Sequence, residues 1–532
     1  MLSFVSSLPA APAADLVTSL PGFGDLSSLP FKVYSGYLTV PGPFTRTPPA
    51  AFGAHTLPLT RSPHAGTVTE YDSLKIHYQL HTAQSGADAP VATWHQGGPG
   101  GSSIDVGLYT EMGYFQVSDQ GTYANEFAWN KVAHMLYLES PAGSGQSSGY
   151  SECIKAGKAV GCKWDDVSQG EAYAHALKAF MTAFPEYASN ELYLTGESYF
   201  GQYGPNIANW ILTHNTTLNL KGIAAGNACW GGDASSVVCN GPNEDRNDIE
   251  LFHGKALIST KLYKKIQKAC SFDPFVEAGA GAGAGASGIE CNALIGKAHE
   301  AVGPHNIYNL YDNCPDAANL DNAAYEGLTA WELKKALRKR ALPGSASSVD
   351  VAEKHEQRAS RELQGAAAAA PVAKTGGYTW SCGGMSATEK WITSADVVKA
   401  LHLDAGGGSS FNYARSGPAS ITLWPFLAKN LRVVIYNGDA DACVPYVGNE
   451  EWITSLEDSG ALTEKDAWTP WYTEKNSGKP PAGYVTTFTV AGAPDKDFSF
   501  VTIRLAGHMV PTFQPAAALA FLGRFLGKEP VA

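Results

Sequence analysis

The stretch Glu191 to Gly201, reading Glu-Leu-Tyr-Leu-Thr-Gly-Glu-Ser-Tyr-Phe-Gly, carries a strand abruptly into a helix with a serine at the corner. Glu191 to Thr195 alternates and is rich in strand formers, whereas Tyr203 to Thr213 places Ile207, Trp210 and Ile211 on one helical face. A serine at such a corner is pushed out of the backbone, and the positive end of the following helix faces its oxygen. That geometry suits a nucleophile. The general elbow, Gly-x-Ser-x-Gly, wants small residues two before and two after the serine. Gly196 meets the first requirement, and Phe200 departs from the second. Taken alone, the stretch reads first as an ordinary Gly/Ser turn.

Composition narrows the choices. A chain of 532 residues with 44% hydrophobic residues, 12 Trp and 24 Tyr is globular and long enough for a large core with insertions. Its apolar runs fall short of the ~20 residues a membrane span needs. A net charge of −12 argues against nucleic acid or an anionic membrane as a main partner. The nine cysteines lack Cys-x-x-Cys or Cys/His ligand spacing, which suits an oxidising compartment and leaves no metal site to expect. Met1 to Ala14 has the apolar start and small-residue end of a secretory signal but not its basic lead-in. Asn215-Thr216-Thr217 is an N-glycosylation sequon. These features point to the secretory pathway, ending in a vacuole, a lysosome or outside the cell.

Along the chain, Phe31 to Val40 and Thr67 to Leu80 read as antiparallel edge strands, and Val91 to Trp94 as a short buried one. That strand runs into His95-Gln96-Gly97-Gly98-Pro99-Gly100-Gly101-Ser102-Ser103, whose glycines can present backbone N–H groups to an anion or a developing oxyanion. A phosphate loop would be followed by Gly-Lys-Ser/Thr, and no lysine is here. His134 to Leu138 is another strand, Gln169 to Phe184 a helix with Tyr173, Leu177, Phe180 and Phe184 on one face, and then comes the elbow. This alternation predicts an α/β fold with a mainly parallel sheet covered on both sides. Beyond Asn227 the texture changes to helical pieces, the Ala/Gly repeat 278–288 and a low-complexity linker over 343–375. The basic run Lys334 to Arg340 reads either as the solvated face of a helix from Leu328 to Leu342 or as a proteolytic processing site. Regular structure resumes at Trp380 with a helix over Asp396 to Leu403. A strand from Leu431 to Tyr436 ends at Asp439 and Asp441, and one from Phe500 to Leu505 ends at His508, before a helix from Gln514 to Leu526. Ser198, Asp439/Asp441 and His508 thus each follow a strand, in the order nucleophile, acid, base that α/β-hydrolases use.

The motifs Gln96-Gly97-Gly98-Pro99-Gly100-Gly101-Ser102-Ser103, Leu138-Glu139-Ser140-Pro141-Ala142-Gly143, Gly196-Glu197-Ser198-Tyr199, Gly438-Asp439-Ala440-Asp441 and Gly507-His508-Met509-Val510-Pro511 extend over most of the chain. With Tyr34-Ser35-Gly36-Tyr37-Leu38 and Trp129-Asn130, they make the chain resemble the acid-active serine carboxypeptidases. The resemblance implies an α/β-hydrolase fold, a serine-type exopeptidase acting on peptide and protein C-termini through an acyl-enzyme, and no cofactor. It implies Ser198 as nucleophile, His508 as general base and acid, Asp441 as the acid that orients it, and Asp439 as structural. The oxyanion would be held by the backbone N–H groups of Gly98 and Tyr199. The substrate carboxylate would be bound by Glu197 and Glu111 with the Gln96 amide and the Gly97 N–H, which requires protonated glutamates and so favours acidic pH. Glu111 has the alternative reading of a surface helix charge.

Three departures stand out. Gln96 replaces the usual Asn and Gly101 the usual Cys, as in a branch resembling the vitellogenic-like carboxypeptidases, and Phe200 stands where Ala or Gly is usual. The missing cysteine removes the family's bridge to the segment around Cys382, for which Cys314 is the expected partner. The other expected pairs are Cys153–Cys162, Cys229–Cys239 and Cys270–Cys291, leaving Cys443 beside Asp441. The expected division is an N-terminal segment 1–30, a hydrolase core over 31–228 and 380–532, and a cap insertion 229–379. A homodimer is a further expectation. Two rival functions use the same features: acyl transfer from an activated ester to an alcohol, and a noncatalytic role stabilising other enzymes.

Overall fold

The computed structural model describes residues 12–44, 71–312 and 384–531, apart from 119–120, 146–149, 215, 231–238, 240–243, 271–287, 405–407, 415–418 and 475–477. Ten of the thirteen strands of its central sheet among the described residues are β1 (Val33–Phe44), β2 (Tyr71–His81), β3 (Val91–His95), β4 (His134–Leu138), β5 (Leu192–Glu197), β6 (Leu220–Gly226), β7 (Arg432–Gly438), β8 (Leu462–Trp471), β9 (Gly483–Val490) and β10 (Ala493–Ile503); the short strands Leu16–Val17, Glu152–Lys155 and Lys158–Val160 join antiparallel beside β1 and β2. In space the ten run β1-β2-β4-β3-β5-β6-β7-β10-β9-β8. From β4 to β10 every neighbouring pair is parallel. The flanks β1-β2-β4 and β10-β9-β8 are antiparallel. The sheet is therefore mixed, with the parallel part in the middle. The β8–β9 hairpin is absent from the sequence reading because its outer strand is exposed along most of its length and carries no buried alternation.

Each strand of the centre is buried on both faces, as a parallel sheet requires. One face packs against α1 (Asp166–Ala183), α2 (Phe200–Thr213), α6 (Trp424–Asn430) and α7 (Tyr446–Asp458), through Tyr173, Leu177, Ile207, Leu427 and Trp452. The other packs against a π-helix (Ser103–Met112) and the C-terminal α8 (Pro515–Gly527), through Ile104, Leu108, Phe521 and Phe525. Three further helices, α3 (Glu244–Gly254), α4 (Thr260–Ala269) and α5 (Ile289–Val302), form a smaller cluster around Phe252, Ile266 and Ile295, tied by the Cys270–Cys291 disulfide.

Two helix starts lie earlier than the sequence reading placed them. α1 begins at Asp166 because Asp165 caps it, its carboxylate accepting from the Ser168 N–H while the Ser168 hydroxyl accepts from the Asp165 N–H. α2 begins at Phe200, so the corner between β5 and α2 is only Ser198-Tyr199. The helix expected over Asp396 to Leu403 is shorter, Ala395–Ala400. The disulfides Cys153–Cys162 and Cys229–Cys239 are also present, and Cys443 belongs to none of the three bridges. The proposed Cys314–Cys382 pair, the basic run at Lys334 to Arg340, the linker 343–375 and the sequon Asn215 lie outside the described residues, as does the repeat 278–288 up to Gly288.

Candidate active site

Ser198 sits in the left-handed region, φ 62°, between a strand that ends at Glu197 and a helix that begins at Phe200. A non-glycine residue there is strained, and strain of this kind collects where a side chain must be aimed. The corner is tied down: the Ser198 N–H donates to the Gly226 carbonyl and the Ser198 carbonyl accepts from the Cys229 N–H, each at 2.9 Å. Phe200, the departure from the elbow pattern, is fully buried. A Cβ added at Gly196 or Gly204 would lie 2.4 or 2.6 Å from its ring, so the phenyl fills the space left by two glycines that flank it in sequence.

The glycine-rich loop closes over this corner. A Cβ at Gly97 would stand 2.5 Å from the Tyr199 amide nitrogen and 2.6 Å from the Ser198 Cβ, which leaves glycine as the residue that fits. Gly98 has φ +116°, again glycine's territory. The loop is held by the Gly101 N–H donating to the Gly97 carbonyl at 2.9 Å and the Gln96 N–H donating to Ser103 Oγ at 3.1 Å. His95, at its start, is buried and neutral: Gln169 donates to one ring nitrogen and the other donates to the Gln96 carbonyl, while burial pulls its titration down to about 4. The Gln96 and Gly101 departures are linked, because a Cβ at position 101 would meet the Gln96 Cγ at 2.9 Å. The longer amide lies where a cysteine side chain would begin.

His508 Nδ1 donates to Asp441 Oδ2 at 2.7 Å. The same oxygen accepts from Asn227 Nδ2 at 2.7 Å, and Oδ1 accepts from the Cys443 N–H at 2.8 Å. Three donors therefore fix the carboxylate, and the imidazole presents Nε2 away from it. The two loops lie in contact, a Cβ at Gly438 falling 2.0 Å from the Gly507 carbonyl oxygen. Residues 307–310 clamp both: the His508 N–H donates to the Tyr308 carbonyl at 2.7 Å, the Ala442 N–H to that of Ile307 and the Leu310 N–H to that of Ala440, both at 2.9 Å. Asp439 plays a different part, accepting from the Leu505 N–H at 2.8 Å and pairing with Lys255 at 3.1 Å. Burial would lower the His508 titration, but Asp441 and then Glu197 outweigh it and raise it above the usual histidine value.

Glu197 ends β5 and Glu111 stands in the last turn of the π-helix, and both are buried. Gln96 Nε2 donates to Glu197 Oε1 at 2.7 Å, and Trp94 Nε1 donates to Gln96 Oε1 at 2.8 Å, so the amide has one orientation. Burial raises the Glu197 carboxyl to about 7, with His508 and Gln96 pulling the other way. Burial, and next the charge of Glu197, raises Glu111 well above the carboxylate range. Two such groups together keep protons at pH values where free carboxylates have lost theirs. Glu197 and Glu111 hydrogen-bond each other and Gln96 also reaches Glu111, while Glu197 Oε2 and the two Glu111 oxygens have no further donor among the described residues.

A sequence model of the serine carboxypeptidase family matches residues 21–528. The chain belongs to the serine carboxypeptidase family. Within it, the chain is 29% identical to serine carboxypeptidase ctsa-4.1 of Caenorhabditis elegans, over 99% of this chain and 96% of the relative. It is 28% identical to the lysosomal protective protein of Mus musculus, over 100% of this chain and 97% of the relative. The crystal structure of Kex1(delta)p, a prohormone-processing carboxypeptidase from Saccharomyces cerevisiae, shares the fold, with a TM-score of 0.61 at 20% identity over 98% and 97% of the two chains. This serine carboxypeptidase has the α/β-hydrolase architecture of that structure.

Every residue expected at the site except Asn215 is described. The elbow residues Ser198 and Tyr199 are brought against the loop residue Gly97, next to Gly98, Gln96 binds Glu197, and Asp441 holds His508. Glu111 is buried beside Glu197 instead of lying on the surface. The sequence reading missed Asn227, the segment 307–310 and Glu139. Glu139 accepts from Ser102 Oγ at 2.9 Å, and that oxygen caps the π-helix by accepting from the Ile104 and Asp105 N–H groups. The Gly-Asn pair ending β6 was a usable signal for Asn227, which has φ 42° and follows a strand as Asp441 does. Residues 307–310 carry no local signal.

Proposed function

We propose that the chain removes C-terminal residues from peptides and proteins through a serine acyl-enzyme, most actively at acidic pH. Ser198 Oγ attacks the carbonyl of the last peptide bond, and His508 Nε2 takes its proton. The oxyanion is held by the N–H groups of Gly98 and Tyr199. His508 then gives the proton to the leaving nitrogen, the terminal amino acid departs, and the acyl group stays on Ser198 as an ester. Water, deprotonated by the same imidazole, attacks the ester and frees the shortened peptide. Asp441, fixed by Asn227, keeps His508 in the tautomer with Nε2 unprotonated.

The observation that carries this reading is the buried Glu111–Glu197 pair beside the nucleophile, whose carboxyls hydrogen-bond each other and Gln96 and have no further donor to hold them ionised among the described residues. Protonated, these groups can donate to the terminal carboxylate of a substrate, joined by Gln96 and the Gly97 N–H; ionised, they repel it. Since burial lifts Glu197 to about 7, the pair is protonated below neutral pH, which favours carboxylate recognition; the Ser198–His508 step itself prefers neutral His508, and protonating Glu197 removes its share of the upward pull on that imidazole. We further propose that residues 229–379 form a cap on a core of 31–228 and 380–532, that the protein works as a homodimer in the secretory pathway, and that Asn215 is glycosylated there.

The test compares an N-blocked dipeptide with its C-terminal amide across pH 4 to 8, with Ser198→Ala as blank. The expected result is acid-form hydrolysis that falls as the pair ionises, amide hydrolysis that lacks this fall, and neither in the variant. If a serine-directed fluorophosphonate labels Ser198 while neither peptide is cleaved, the peptidase reading fails and acyl transfer replaces it.

A further inference from the structure

Register places one more polar group in the carboxyl cluster. Glu197 of β5 pairs with Gly226 of β6, which pairs with Tyr436 of β7. Paired residues of parallel strands point to the same face, so Glu197 and Tyr436 stand on one side of the sheet with a glycine between them. A Cβ at Gly226 would lie 2.5 Å from the Tyr436 Cζ and 2.6 Å from its hydroxyl oxygen. The phenol therefore lies across the glycine, in the row that leads to Glu197 and on to Gln96. Its ring is fixed on its other flank by Phe521, 4.7 Å between centroids. Tyr436 is 1% exposed, and its hydroxyl has no hydrogen-bond partner among the described residues.

A buried hydroxyl without a partner is costly, and the carboxyl pair nearby has accepting capacity that no further donor among the described residues fills. The charges of Glu197 and Glu111, in that order after burial, oppose ionisation of the phenol, so it remains a donor at every working pH. We propose that Tyr436 is a positioning residue for substrate-carboxylate recognition: its O–H donates to the Glu111–Glu197 pair across one bridging water and stabilises the pair's anionic form. The inference rests on the carboxylate-binding role proposed above. The groups facing the pair are Gln96 from the loop, Tyr436 from β7, Tyr137 from β4, and His508 and Asp441 from the catalytic loops. Of these, Tyr436 has an O–H with no other partner among the described residues. The donor lowers the pair's titration, and its loss raises it.

The experiment measures binding of N-acetylphenylalanine and of its amide to Ser198→Ala from pH 4.5 to 8.5, with and without Tyr436→Phe, which keeps the ring against Gly226 and Phe521. In Ser198→Ala the acid is expected to bind tightly at low pH and weakly above the pair's titration. Tyr436→Phe should move that loss upward by about one pH unit, the scale of a hydrogen bond to a charged group, and leave amide binding unchanged. Coincident acid curves, or equal shifts for acid and amide, would overturn the assignment of Tyr436 while leaving the carboxylate reading intact. If Ser198→Ala binds acid and amide alike at every pH, the carboxylate reading itself falls and takes this one with it. A substrate-free readout is the melting temperature, which Tyr436→Phe should lower more at pH 8 than at pH 4.5. An equal lowering at both would mark a packing role and refute the proposal.

Discussion

Glu197→Gln offers a test that needs no substrate. The Glu197 carboxyl is fully buried and titrates at about 7 in the folded chain, against 4.5 for a free glutamate. Folding therefore favours the protonated form, by on the order of 3 kcal/mol. Because the folded value is the higher one, this contribution is fully present below pH 4.5 and declines as pH rises, until it is gone above about 7. Glutamine keeps the shape and the contact with Gln96 but has no proton to lose. For a chain of 532 residues the difference corresponds to about 3 °C in melting temperature. The assay is thermal unfolding of both proteins from pH 4 to 8. The wild type should lose about 3 °C relative to Glu197→Gln between pH 4.5 and 7.5. Parallel curves would show that Glu197 titrates like a surface carboxylate, and the argument for protonated recognition of a C-terminus would collapse.

Asp441→Asn should lower kcat/KM by about 10³- to 10⁴-fold with little change in KM, because the amide can hold the wrong tautomer of His508 while binding is untouched. A stopped assay of the blocked dipeptide reads this, and a loss under tenfold would remove Asp441 from the role. Gly101→Ala should raise KM for the acid substrate about tenfold by displacing Gln96, whose Cγ would be 2.9 Å from the new Cβ. Adding Gln96→Asn should recover most of that loss, and a double variant no better than the single would break the link between the two positions.

Much of this was legible in the sequence because its carriers are local. Ser198, Asp441 and His508 each follow a strand, and the glycines at 97 and 98 stand where the chain has no room for a side chain or needs φ above zero. The capping box that starts α1 is equally local, an Asp at 165 with Ser168 three residues on. What stayed hidden depends on long-range register. Tyr436 joins the carboxyl cluster because two strand pairings align it with Glu197 across Gly226, and residues 307–310 reach the catalytic loops from a separate helical region. The β8–β9 hairpin was missed because an edge strand with an exposed row lacks the apolar alternation that marks a half-buried one. Phe200 looked like a defect in a five-residue motif; its reason, the paired gaps at Gly196 and Gly204, is visible once the corner is folded.

The central claim is that Ser198 cuts from a free C-terminus. A peptide of ten residues and its C-terminally amidated twin, each incubated at pH 5 and followed by mass spectrometry, decide it. The account predicts a ladder of single-residue losses from the C-terminus of the free peptide, much slower loss from the amide, and neither with Ser198→Ala. Internal cleavage, equal trimming of both peptides, or a ladder that survives Ser198→Ala would contradict it.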